Sequence, residues 1–297
     1  MSFTQDAITW YDSGAVQYPA LHKHIIELTM PALVVKRLLP EFPLVQGRTA
    51  TFVKESGSRS IGISEIAEGA EIMMDYTPLN TVTVTPYKKG ERIRVPREQV
   101  EDLYIPVIDQ QLRRLARRTA YQIDLDCMNV IGAAAAFTSA ATGKTMGATG
   151  SEMTIASTIG AKDILWAEAA IASKNFIADS IIANPINIRD LKYVPNFTIF
   201  SQYGRPVLQN GAMGQVYGLN LYSTNVCSPG TAYVLSTGSN LSSSYAPIGF
   251  FVIKRPLMTD VDQVKQNDAI DIIETTRYAP VVLNGECISQ ITSLFTT

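Results

Sequence analysis

The feature that most constrains the fold is a long run of apolar residues at helical spacing between residues 97 and 131. Apolar side chains recur every three to five residues throughout this range, which places them on one face of an α-helix. A single helix of this length spans about 50 Å, at about 1.5 Å per residue. Pro96 suits its first turn, and Pro106 is expected to kink it or split off its first turns. The stripe consists of Val100, Leu103, Val107, Leu112, Leu115, Thr119, Ile123, Cys127 and Val130.

The segment before this helix divides into an arm and a long loop. Residues 1–45 contain four prolines that break any long element, so they are expected to form an N-terminal arm that lies on this subunit or on a neighbour. Residues 46–95 are expected to form an extended β-hairpin loop, with strands at Thr49–Val53, Leu79–Thr85 and Arg92–Val95. The connection between the first two strands is rich in serine, glycine and acids, which favours a flap that contacts another surface.

The segment after the helix mixes helices and strands. Residues 132–160 are rich in Gly, Ala, Ser and Thr, and we expect a mobile connector there. Apolar spacing predicts helices at Ala161–Asn175 and Ile186–Leu191. The predicted strands are Ser180–Ala183, Asn220–Thr224, Ala232–Leu235, Gly249–Lys254, Ala269–Thr276, Pro280–Leu283 and Cys287–Thr292.

Composition and single residues disfavour most catalytic and metal-dependent functions. The 297 residues are 46% hydrophobic and carry a net charge of -2, so the chain is globular and has no overall attraction for nucleic acid. Its three cysteines are far apart and contain no CxxC pair, which argues against a zinc site or a disulfide framework. His22 and His24, the only histidines, are interpreted as surface residues of the arm. The apolar stretches are interrupted well before they reach a membrane-spanning length.

Three stretches, taken in order, resemble one known family. IAEGAEI (66–72) with TVTVTPYKKGERIRVPREQVEDL (81–103) is similar to an extended loop that runs through a strand pair into a spine helix. AKDILWAEAAIASKNFIADSIIANPINIRDLK (161–192) is similar to the helix, strand and Asn-Pro turn of an axial domain. GFFVIKRPL (249–257) with DAIDIIETTRYAPVVLNGECISQI (268–291) is similar to the closing strands of a peripheral domain. Together they resemble the major capsid proteins of tailed phages and related archaeal viruses, which share the Hong Kong 97-like fold.

The resemblance implies an α+β fold with a definite division of the chain. The N-terminal arm is 1–45 and the extended β-hairpin loop is 46–95. The peripheral domain is 96–160 with 246–297 and contains the long spine helix 97–131, while the axial domain is 161–245.

The resemblance also implies a structural function rather than an enzymatic one. The expected protein is a major capsid protein that is assembled in the host cytoplasm, through pentamers and hexamers, into the icosahedral shell of a virion enclosing double-stranded DNA. Its expected partners are copies of itself, portal, scaffold or decoration proteins, and DNA through non-specific contact; no cofactor, metal or membrane is expected. An encapsulin-type nanocompartment shell of the same fold is the alternative, and an α/β enzyme with an uncharacterised site is a third interpretation.

Charged residues predict a contact between subunits. Five acids of the loop, with Arg59 as the only base among them, are expected to lie over a basic region of the neighbouring subunit, each exposed pair contributing up to about 1 kcal/mol. The acids are Glu55, Glu65, Glu68, Glu71 and Asp75, and the bases are Lys88, Lys89, Arg92, Arg94, Arg97, Arg113, Arg114, Arg117 and Arg118. For the four arginines from 113 to 118, contact with packaged genome and a solvated helix face paired with Asp109 stay open alternatives.

Overall fold

The computed structural model of the chain describes residues 25–26, 28–29, 33–55, 79–96, 98, 107–135, 152–155, 161–192, 214–238, 248–264 and 266–293. Three sheets lie in this part of the chain, together with three α-helices, two short 3₁₀ helices and the helical residues 25–26, 28–29 and 98. The α-helices are α1 (Val107–Ala134), α2 (Ala161–Ala172) and α3 (Pro185–Lys192).

The predicted long helix is present as α1, and its apolar stripe is buried. Leu115, Ala116, Cys127 and Ile131 are fully shielded from solvent, as the helical spacing requires. The expectation for Pro96 was wrong, because this residue ends a strand and pairs with Ala269 instead of opening the helix. The alternating strand pattern of residues 92–95 continues into Pro96, because the strand that contains Ala269 still pairs with the chain at this position. Most of the segment between Pro96 and Val107, including Pro106, lies outside the described residues.

A four-stranded sheet packs against α1. It contains β1 (Glu41–Pro43), β4 (Tyr87–Pro96), β10 (Gly249–Val264) and β11 (Ala269–Val282), in the order β1-β10-β11-β4. Ile270 and Ile272 of β11 pack on Leu112 and Leu115 of α1, and Ile25 of the arm is buried in the same cluster. This part of the arm therefore lies on its own subunit.

Two of these strands are longer than predicted. β10 runs ten residues beyond Lys254, and β11 joins the two strands predicted at 269–276 and 280–283. Pro256 is tolerated because it falls at an irregularity in the pairing between Arg255 and Met258. Pro280 is tolerated because β4 pairs with β11 only as far as Tyr278, which leaves one side of β11 without a strand to receive an N–H.

The base of the predicted loop forms a two-stranded sheet of β2 (Ala50–Glu55) and β3 (Leu79–Val84), paired in register from Ala50↔Val84 to Glu55↔Leu79. Phe52 stacks on Phe250 with ring centroids 5.1 Å apart, and Phe42 meets both rings. These aromatic contacts fix the hairpin base on the four-stranded sheet. The predicted flap between the two strands lies outside the described residues.

A six-stranded sheet carries α2 and α3. Its order is β5-β12-β9-β6-β8-β7, and α2 packs on it through Ile164 and Ile171. The strands are β5 (Glu152–Ile155), β6 (Ser180–Ala183), β7 (Gln215–Val216), β8 (Leu219–Ser223), β9 (Thr231–Leu235) and β12 (Ile288–Ser293). β5 lies within the segment predicted as a mobile connector, so that prediction was wrong for residues 152–155. The division into peripheral and axial domains stays a prediction, and β12, which it assigns to the peripheral one, pairs with β9 of the segment 161–245.

One core joins the two large sheets through the C-terminal half of α1. Cys127 and Ile131 of α1 are buried together with Leu235 and Ile288 of the six-stranded sheet and Phe251 of the four-stranded sheet. The N-terminal segment is fixed to the same part of α1 by the buried carboxylate of Asp124, which accepts hydrogen bonds from the backbone N–H groups of Val34 (2.8 Å) and Lys36 (3.0 Å).

Candidate intersubunit surface

The four arginines of α1 lie on one exposed helix face. Arg113, Arg114, Arg117 and Arg118 recur at helical spacing on the side of α1 opposite its buried stripe. With Gln110 they line an open depression of about 500 Å³. Arg118 is held by an ion pair to Glu91 of β4 at 2.6 Å, whereas Arg114 and Arg117 have no ion-pair partner within the described ranges.

The bases on β4 have a different role, because several of them are tied to buried acids of the same subunit. Arg94 donates to both carboxylate oxygens of Asp271, at 2.7 and 2.9 Å, and Arg92 lies 3.5 Å from the same carboxylate. The hydrogen bond and charge of Arg94 hold the pKa of Asp271 below its usual range. The guanidinium group of Arg94 is thus already bound within its own subunit.

Lys89 is also used internally. Its ammonium group pairs with Asp126 of α1 and lies over the ring of Tyr278, 5.3 Å from the centroid. Tyr278 donates a hydrogen bond to the same carboxylate at 2.5 Å. Burial is the main reason why the pKa of Tyr278 is raised, and the hydrogen bond to Asp126 adds to it. This cluster fixes β4 and β11 to the helix.

A second buried acid, Glu274, has no ion-pair partner among the described residues. It lies on the α1 side of β11, where Thr119 donates to it at 2.7 Å and Glu91 is its direct partner across the strands. Burial raises the pKa of Glu274, the Thr119 hydrogen bond opposes this, and the nearby Glu91 adds to it. Its other oxygen, Oε1, is buried and has no hydrogen-bond partner in the described part of the chain.

Most acids of the predicted intersubunit contact lie outside the described part of the chain. Arg59, Glu65, Glu68, Glu71 and Asp75 lie outside the described residues, as does Arg97 on the basic side. Glu55 ends β2, so its backbone stands where the hairpin continues into the predicted loop. Lys88 is exposed on β4. The structure therefore groups the four arginines of α1 on one surface, places Lys88, Arg92 and Arg94 on the sheet face away from α1, and leaves the acidic partners a prediction.

Sequence reasoning missed three acids that bind side chains of β4 and α1 in the same subunit. Asp271, Glu274 and Asp126 are separated by tens to hundreds of residues from Arg94, Thr119 and Lys89. The signal that could have found Asp271 is an acid within the apolar run AIDII, where a charge needs a buried partner.

The described residues hold three cysteines and no cluster of metal ligands. No group of three or more potential metal ligands occurs among them, and none of their helices is long and apolar enough to span a bilayer. All three cysteines are free and buried. Burial raises the pKa of Cys227 and of Cys287 to about 12 and also raises that of Cys127, so their thiols are poor nucleophiles at neutral pH.

The family model described as phage capsid protein matches residues 79–287, which is more than half of the chain. The chain belongs to the phage capsid protein family. It is therefore a structural protein of the virion, a major capsid protein whose shell is built from many copies of itself. An encapsulin shell is not favoured. A comparison with curated protein sequences found no match.

Solved capsid structures share the fold of this phage capsid protein. The capsid of Cyanophage P-SCSP1u is similar with a TM-score of 0.66 and 13% identity, covering 87% of each chain. The mature capsid of bacteriophage PhiM1 gives 0.64 and 12%, covering 89% of this chain and 88% of that one. The capsid of a native GTA particle gives 0.61 and 9%, covering 89% and 91%. The predicted α+β, Hong Kong 97-like fold is confirmed.

Proposed function

We propose that this phage capsid protein forms pentamers and hexamers that close into an icosahedral shell around double-stranded DNA. The family match over residues 79–287 carries the proposal. Support comes from the shared fold with the capsid of a native GTA particle. The role is structural, without catalysis, and assembly with portal, scaffold or decoration proteins belongs to the same proposal.

Negative-stain electron microscopy of the chain expressed alone tests the proposal. Closed shells or rings of five and six subunits are the expected result, and nuclease-protected DNA inside particles from infected cells is expected as well. A chain that stays monomeric at high concentration, also with a scaffold partner supplied, would contradict the assembly. Shells that hold protein cargo instead of DNA would contradict the genome-enclosing role.

We propose further that the acidic loop of one subunit lies over the basic face of α1 in its neighbour. Arg114 and Arg117 are the best candidates for this contact, because Arg94 and Lys89 are already engaged by acids of their own subunit. The loop acids assigned to the contact are Glu65, Glu68, Glu71 and Asp75. Contact of this arginine face with packaged DNA is the competing role.

Replacement of both arginines separates the two roles. R114A/R117A is expected to lower the yield of closed shells from purified subunits without DNA, and E68Q/E71Q is expected to do the same. Lys174→Ala, which removes an exposed base at the C-terminal end of α2, serves as the matched control. Normal shells from both double variants, combined with loss of DNA only from R114A/R117A, would assign the face to the genome instead.

A further inference from the structure

The face of the four-stranded sheet that points away from α1 carries a row of three cations. Arg255 of β10, Arg277 of β11 and Lys88 of β4 are direct cross-strand partners, so their side chains leave the sheet on the same face. That face is opposite to α1, because the neighbouring residue Tyr278 contacts Asp126 of the helix. Like charges placed directly opposite each other across strands are destabilising unless an anion lies between them.

The hydrogen bonding of this row is incomplete. Arg255 donates through Nη2 to Thr275 Oγ1 at 3.0 Å, and Arg277 donates through Nη2 to the carbonyl of Pro86 at 3.3 Å. The Nε groups of both arginines are buried and have no hydrogen-bond partner within the described part of the chain. A buried N–H donor without an acceptor is uncommon, so these two groups leave the hydrogen bonding of the row incomplete. The row therefore lacks an acceptor of negative charge.

The same sheet face carries two exposed acids farther along β10. Asp260 pairs in register with Ile273, and Asp262 with Asp271. Asp271 is already bound by Arg94 and Arg92 of β4, so it needs no further cation. Asp260 and Asp262 have no ion-pair or hydrogen-bond partner among the described residues. They form an acidic pair beside a β10 edge on which β1 pairs only as far as Ile253.

The acidic pair cannot neutralise the cation row of its own subunit. Asp260 lies five residues from Arg255 on the same strand, which corresponds to roughly 17 Å at about 3.4 Å per residue. That distance exceeds the screening length of about 8 Å at physiological ionic strength. A second copy of the chain can bring its own acidic pair into direct contact with the row.

We propose that Asp260 and Asp262 of one copy bind the cation row of Lys88, Arg255 and Arg277 on a second copy. The two groups lie on one face of the sheet, so two copies that meet through this face contact each other reciprocally, the acidic pair of each on the cation row of the other. The carboxylates balance the three aligned charges, and they can approach the row through Lys88, its exposed member. The inference rests on the proposed shell function, and it adds a contact that is independent of the acidic loop.

Charge reversal at the two exposed positions tests the proposal. D260K and K88E are each expected to raise the subunit concentration needed for assembly at least tenfold in 100 mM salt, as measured by light scattering and sedimentation. The double variant D260K/K88E restores opposite charges across the interface and is expected to recover at least half of the parent yield. R48E, a charge reversal at an exposed arginine before β2, is the control, and circular dichroism of each unassembled subunit verifies its fold.

Each outcome bears on the proposal. Normal assembly of both single variants, or a double variant no better than the worse single one, would overturn it. Loss of DNA from K88E shells that assemble normally would assign the row to the genome and would also overturn it. A parent chain that never associates would contradict the proposed function itself, which separates that failure from a failure of this contact alone.

Discussion

Replacing Asp124 with alanine tests how the N-terminal segment is held on α1. The substitution removes the acceptor for the N–H groups of Val34 and Lys36, which bind the carboxylate at 2.8 and 3.0 Å. Each N–H that is left unpaired in a partly buried site costs about 1–3 kcal/mol. The higher helix propensity of alanine offsets about 0.5 kcal/mol of this loss in stability. Removal of a buried carboxylate, which is costly to desolvate, offsets a little more. The expected loss in free energy of unfolding is therefore about 2–4 kcal/mol.

Urea unfolding of the unassembled subunit, followed by circular dichroism, measures this loss. At a slope of about 2 kcal/mol per molar urea, the midpoint should fall by about 1–2 M. Arg117→Ala on the exposed face of the same helix is the control and should change the free energy by less than about 0.5 kcal/mol. A D124A midpoint that coincides with that of the control would refute the conclusion that this carboxylate fixes the segment 33–38 to the helix.

Three further predictions concern buried groups. Because burial raises the pKa of Glu274 above 4.5, the free energy of unfolding should fall as pH rises from about 4.5 through the folded-state pKa. The E274Q variant should not show this decrease, so parallel pH profiles of parent and variant from urea titrations would contradict the prediction. Gly249→Ala should prevent or strongly destabilise folding, because the new Cβ would stand 2.0 Å from the carbonyl oxygen of Val281. A normal melting temperature would show that the strands can separate at little cost, and Gly214→Ala, where the Cβ meets open space, is the steric control. The three buried cysteines should resist a thiol reagent at pH 8 in the native subunit and react fully in urea, so rapid native labelling would contradict their burial.

Sequence patterns located the elements whose apolar runs are short and sharply bounded. The strand Ser180–Ala183 was predicted at its observed limits, because four buried residues are followed by the Asn184-Pro185 break. The C-terminal half of β10 was missed because RPLMTDVDQV is polar and contains Pro256. Its strand structure depends on pairing with β11 rather than on local propensity.

The sequence predicted which basic residues lie on the candidate surface better than it predicted what each of them binds. The arginine face of α1 follows directly from helical spacing. The internal use of Arg94 could not be inferred, because Asp271 stands 177 positions away and only the sheet register brings the two together. The cation row has the same origin, since Arg255, Arg277 and Lys88 are neighbours only through strand pairing.

The core shared by the two large sheets determines how the subunit responds to mechanical load. Side chains from both sheets meet around Cys127 and Ile131 of α1, so neither sheet can swing about the helix without opening close-packed contacts. Under outward pressure on the shell, the two sheets and α1 would then move together as one rigid body. Differences in curvature between positions in the shell would then require changes at the interfaces between subunits rather than within this rigid body.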